Sequence, residues 1–149
     1  EQETITTIEV HVKGGNFDKK FYWRDKDGDG GANPVIDTIE LPANTLSLLC
    51  DVHVYDESKI PTGDITEEIR AEAEDHLLVY RVSGVNLSVA YNDRDTQGKN
   101  LGISTIWTTS NPSRGTLNIL LYHEPADKAN VTDPGGDVDF DVVLPVKIL

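Results

Sequence analysis

Residues 137–149 read DVDFDVVLPVKIL, and their alternation constrains the fold more than any other stretch of the chain. Val138, Phe140, Val142, Leu144, Val146 and Ile148 alternate with Asp139, Asp141, Val143, Pro145 and Lys147. Side chains of a strand point to opposite faces in turn, so this spacing predicts a strand with one buried face. Pro145 has no N–H to donate, so the strand is expected at an edge there, or with that side unpaired.

The same period recurs along the chain. Ile8, Val10 and Val12 share one face, with Glu9 and His11 opposite. In LSLLCDVHVYDE (46–57), Leu48, Cys50, Val52 and Val54 face one way, and Asp51, His53 and Tyr55 the other. Further strands are predicted at 19–25, 37–41, 77–84, 86–93, 102–110 and 116–124, bounded by Gly, Asn and Asp turns. Only DITEEIRAEAEDH (64–76) breaks the period. It is rich in Glu and Ala, with Asp64 or Thr66 as N-cap, acidic residues in the first turn, and a narrow stripe of Ile65, Ile69, Ala73 and Leu77. Eight or so strands with one short helix predict an immunoglobulin-like antiparallel β-sandwich. A doubly wound α/β fold would need a helix after nearly every strand. The 149 residues are sized for one domain spanning 1–149.

Charge narrows the partners. The net charge of −13 repels nucleic acid and anionic membrane surfaces, and attracts cations. No apolar run approaches the roughly 20 residues that span a bilayer. The chain has no methionine, so Glu1 is expected to follow a segment that has been removed. The single cysteine, Cys50, is predicted to pack as a small hydrophobe, and thiolate metal clusters are excluded.

Two loops could hold a cation. In DKDGDGG (25–31), Asp25, Asp27 and Asp29 stand at the alternate spacing that lets carboxylates converge, and Gly30 allows a sharp turn. Ca²⁺ takes about six to eight oxygen ligands. The closing Glu of a helix-flanked calcium loop would fall at position 36, which is Ile36; Asp37 comes one residue late. Either Asp37 and backbone carbonyls complete another geometry, or the segment is a hairpin turn with solvated carboxylates. YNDRDTQGKN (91–100) offers Asn92, Asp93 and Asp95, with Arg94 competing for the carboxylates.

The histidines give a second metal chemistry. His11 and His53 lie on polar strand faces. His76 is expected to end the helix, where the dipole favours an imidazolium. His123 continues the inward face of Leu117, Ile119 and Leu121, then meets Glu124 and Pro125. Two readings stand for it: a hydrogen-bonded histidine at the mouth of the core, or a Zn²⁺ or Cu²⁺ site with His76 and a carboxylate such as Glu124 or Asp75. Enzymatic chemistry is not expected. No G-x-S-x-G, H-E-x-x-H or P-loop motif is present, and Pro125 breaks any helical His-Glu pair.

Taken in order, ITTIEV, YWRDKDGDG, DITEEIRAEAEDH, SVAYNDRDTQG and GTLNILLYHEPADK resemble small exported lipoproteins of Bacteroidota. These are often labelled type 1 periplasmic binding fold, an α/β label that the strand pattern does not match. The resemblance implies a lipid anchor ahead of Glu1, a place in the periplasm or at the outer-membrane surface, and a TonB-dependent outer-membrane receptor as partner. His76 and His123 fall within the shared motifs, and His11 and His53 do not. The leading expectation is a non-enzymatic module that binds a metal ion or nutrient and assists uptake. The alternative is an adhesion or assembly subunit with calcium-stiffened loops, self-associating through edge strands such as the C-terminal one. Glycan binding through Trp23 or Trp107 rests on exposed-aromatic potential alone; Trp107 shares a face with Ile103 and is expected in the core.

Overall fold

A computed structural model describes residues 4–25 and 33–149. Among the described residues 55% lie in strands and 7% are helical. One sheet contains β1 (Thr7–Gly14), β2 (Phe17–Arg24), β3 (Val35–Ile36), β5 (Leu48–Asp56), β6 (Gly63–Asp64), β8 (Leu87–Tyr91) and β9 (Ser104–Thr109). Its order is β3-β2-β1-β5-β9-β8, with β6 paired to β5. The other contains β4 (Ile39–Leu41), β7 (His76–Ser83), β10 (Ser113–His123) and β11 (Asp137–Ile148), in the order β4-β11-β10-β7. Every pairing is antiparallel except β11 with β4. The expected sandwich is present. Among the described residues it has eleven strands rather than about eight, in part because β3 and β6, two residues each, are too short to show a period.

Alternation dictates the core. Ile8, Val10 and Val12 of β1, and Leu48, Cys50, Val52 and Val54 of β5, are buried and face the inward side chains of β10 and β11. Trp107 of β9 is fully buried, as expected, and its indole N–H donates to Thr105 Oγ1 at 2.9 Å. Burial pushes the Cys50 thiol well above its ordinary pKa, so it stays protonated and packs as a hydrophobe. Pro145 behaves as its chemistry requires. β4 pairs β11 only over Val146–Ile148, so beside Pro145 no strand occupies the flank away from β10 among the described residues. The C-terminal strand is therefore a partner of two strands at its end and an open edge before it.

The helical stretch is shorter than predicted. α1 spans Ile65–Ala71, and the Asp64 carboxylate accepts from Thr66 N–H at 3.0 Å as N-cap. Ile65, Ile69 and Ala73 are buried, as the stripe requires. Ala73–Asp75 tighten into a 3-10 turn, and His76 opens β7 instead of ending the helix. Leu77 is buried too, but on a strand. With Val79, Leu120 and Tyr122 it forms a second apolar cluster, separate from the main core. The Arg81 guanidinium ties this region to the segment after β10, donating to Tyr122 Oη at 3.1 Å and to Thr132 O at 2.8 Å.

Candidate cation site in an acidic cleft

The β10–β7 ladder ends with His123 directly opposite His76, so the register alone brings the two sequence-predicted histidines together. Their rings stack at 5.0 Å between centroids, within 9° of parallel. His76 is only 6% exposed. Its Nδ1 lies 3.0 Å from Glu72 O. A carbonyl only accepts, so Nδ1 is the donor, and in the neutral imidazole that leaves the lone pair on Nε2, which bonds to no described residue. His123 sits nearer solvent, with Nε2 3.8 Å from Glu124 Oε1 and Nδ1 4.0 Å from Asp139 Oδ2.

A β-bulge adds the opposite wall. Leu121 pairs with Phe140 but Tyr122 pairs with Val138, so Asp139 is the extra residue. The bulge shifts the phase of the strand by one. Val138, predicted on the core face, is 42% exposed, and Asp139, predicted outward, joins Asp137 in the cleft wall. Gly136 makes the approach possible. At φ +92° it sits where side chains are disfavoured, and a Cβ there would meet His123 O and Glu124 O at 2.6 Å. Glu124 itself turns at φ +53°, and its N–H donates to Asp75 O at 2.7 Å.

The result is a cleft of about 640 Å³ between α1 and the ends of β10 and β11. Glu68, Glu72, Glu124, Asp137 and Asp139 line it, with His76 and His123, and among the described residues no Lys or Arg does. Its apolar part comes from Ile5, Ile65, Ile69 and Leu121. The local field is therefore negative and, among the described residues, balanced by no fixed cation. Glu68, Glu72, Asp137 and Asp139 were not singled out by sequence reasoning. The acidic first turn of α1 and the DVD repeat were visible, but nothing local says that they share a wall.

The acidic loops fare differently. Asp27 and Asp29 lie outside the described residues. Asp25 donates its N–H to Thr6 O at 2.7 Å, and Asp37 Oδ2 accepts from Tyr22 N–H at 2.8 Å, so the described parts of that candidate brace β1, β2 and β3. In the other loop, Asn92 Nδ2 donates to Ser104 Oγ. The Asp93 carboxylate accepts from the N–H groups of Gly102 and Ser104 at 2.7 and 3.1 Å. Asp95 Oδ1 accepts from the N–H groups of Gln97 and Lys99 at 2.9 and 3.0 Å. Asp95 Oδ2 takes a cation, but it is the ammonium of Lys128 at 2.8 Å, which also donates to Ala73 O at 2.9 Å. The competitor for Asp95 is thus Lys128; among the described residues the Arg94 side chain donates to Asp93 O and to neither carboxylate. Burial pushes Asp95 upward, but the hydrogen bonds from Lys128 and the two backbone N–H groups outweigh it and hold the carboxyl below its ordinary range. A smaller cleft of about 340 Å³ beside this pair includes both members of it in its lining.

No group of three or more His, Cys, Asp or Glu stands in a metal-holding arrangement among the described residues. The site holds pairs and dispersed carboxylates, and because no buried side-chain nitrogen or oxygen among the described residues lacks a partner, His76 Nε2, which bonds to none of them, opens to solvent. Comparison of the chain with protein-family models, curated proteins and solved structures returns no match.

Proposed function

We propose that the protein is a non-enzymatic binding module that captures a cation in the cleft between α1, β10 and β11. The observation that carries this reading is His76: its Nδ1 is tied to a backbone carbonyl, and its ring lines a cleft walled, among the described residues, by five carboxylates and by no Lys or Arg. A histidine that donates its other ring N–H to a carbonyl is oriented and made more basic as a ligand. The cargo is a metal ion or a positively charged nutrient. Ordered resemblance to exported lipoproteins supports a place at the cell surface, outer membrane or periplasm, held by a lipid anchor and assisting a TonB-dependent receptor. No helix among the described residues is long and apolar enough to cross a membrane. Calorimetric titration of metal-free protein with Zn²⁺, Cu²⁺, Ca²⁺ and organic cations tests the binding. One site per chain is expected, weakened at least tenfold in His76→Ala. No heat and no melting shift with any of them would end the reading.

A second reading, an assembly subunit, has one observation in its favour. The flank of β11 over Asp137–Pro145 carries no strand among the described residues, and Val138 and Val143 beside it are exposed. Its test is the oligomeric state across protein concentration.

A further inference from the structure

Resting on the cation-binding reading, we infer that the cleft takes an elongated organic amine with more than one ammonium group, such as a di- or triamine, rather than a bare metal ion. A bare Zn²⁺ needs about four donors within roughly 2.3 Å of one point. The histidine rings lie nearly parallel, so their lone pairs do not converge. The nearest carboxylates are 3.8 and 4.0 Å from the His123 nitrogens, and the others come from α1, its C-cap Glu72 and the start of β11. Negative charge is thus spread around a cleft of about 640 Å³, a volume in the range of small-molecule sites.

Three features match an amine. An ammonium group donates up to three hydrogen bonds, which suits the carboxylates lining the cleft and, in its neutral form, the imidazole of His76. Glu68 of α1 and Glu72 at its C-terminal end line the cleft from one element, and Asp137 and Asp139 line it from β11, so two ammonium groups joined by a chain can address both. Ile5, Ile65, Ile69 and Leu121 would cover the methylenes between them. A hydrated metal ion leaves that apolar surface wet, whereas an alkyl chain removes it from water.

The test uses the full chain with spermidine, n-butylamine and Zn²⁺ as probes, read by calorimetry and by backbone amide chemical shifts. Spermidine is expected to bind one site at least tenfold tighter than n-butylamine, with shifts centred on His76, His123 and Asp139. Glu72→Gln and Asp137→Asn are expected to weaken it at least fivefold each. Glu67→Gln, which removes the partner of Arg70 outside the cleft, is expected to leave it unchanged. Circular dichroism confirms that each variant is folded. Zn²⁺ titrating in the cleft while the amines do not would overturn the amine assignment and leave cation binding standing. Neither amine nor metal binding there would overturn both. Spermidine shifts scattered over the acidic surface and indifferent to the cleft variants would show charge condensation only, and also overturn the assignment.

Discussion

Lys128 shows how far one residue's role can lie from its sequence context. Its ammonium closes a buried ion pair with Asp95, 33 positions earlier, and a hydrogen bond to Ala73, so one side chain joins three segments. Breaking a buried pair from one side leaves the other charge uncompensated. Lys128→Met is expected to lower stability by about 3 kcal/mol, the low end for such losses because Asp95 keeps its backbone donors. Asp95→Asn with Lys128→Met should cost less than the sum of the single changes, measured in urea. The depressed folded pKa of Asp95 sets the pH window. Its contribution is fully present above the unfolded value of about 3.9 and is lost as pH falls through the folded one. Asp95→Asn should flatten that acid limb without abolishing it, because hydrogen bonds from Ser58 also hold Asp56 low. The sequence offered Asp95 as a calcium ligand, with Arg94 as the competing charge. Its pairing with Lys128 was invisible, since no local pattern links PADK to NDRD.

At the scale of elements, local chemistry was legible where it acts within a few residues. Asp64 caps α1, Ile65 and Ile69 bury its stripe, and Pro145 stands where its β11 flank is open. The failures are places where a neighbouring strand overrides the pattern. The pairing of β7 with β10 draws His76 out of the helix, and the bulge opposite Leu121 and Tyr122 reverses Val138 and Asp139. Gly136 serves that bulge by letting the chain pass against the carbonyls of His123 and Glu124. Gly136→Ala is expected to cost about 1–3 kcal/mol through its positive φ and the contact. It should also shift the amide resonances of Asp137 and Asp139. Unchanged stability would mean that the turn relaxes without the glycine.

For the whole molecule, two sheets around one core leave both the cleft and the open flank of β11 at the surface. Asp137, Asp139 and Asp141 on that strand, and Pro145 without an N–H, discourage a second chain from adding to it. Light scattering across protein concentration should therefore show a single 16.4 kDa species. A dimer that grows with concentration would favour the assembly reading instead. Side-chain alternation is a property of each strand alone, so the sequence by itself determined the sandwich, the buried faces away from the bulge and the presence of one short helix. Strand register, the bulge and the meeting of segments 33 or more residues apart depend on long-range pairing. Only the tertiary structure could therefore set His76 on His123, turn Asp139 into the cleft and give Asp95 its lysine.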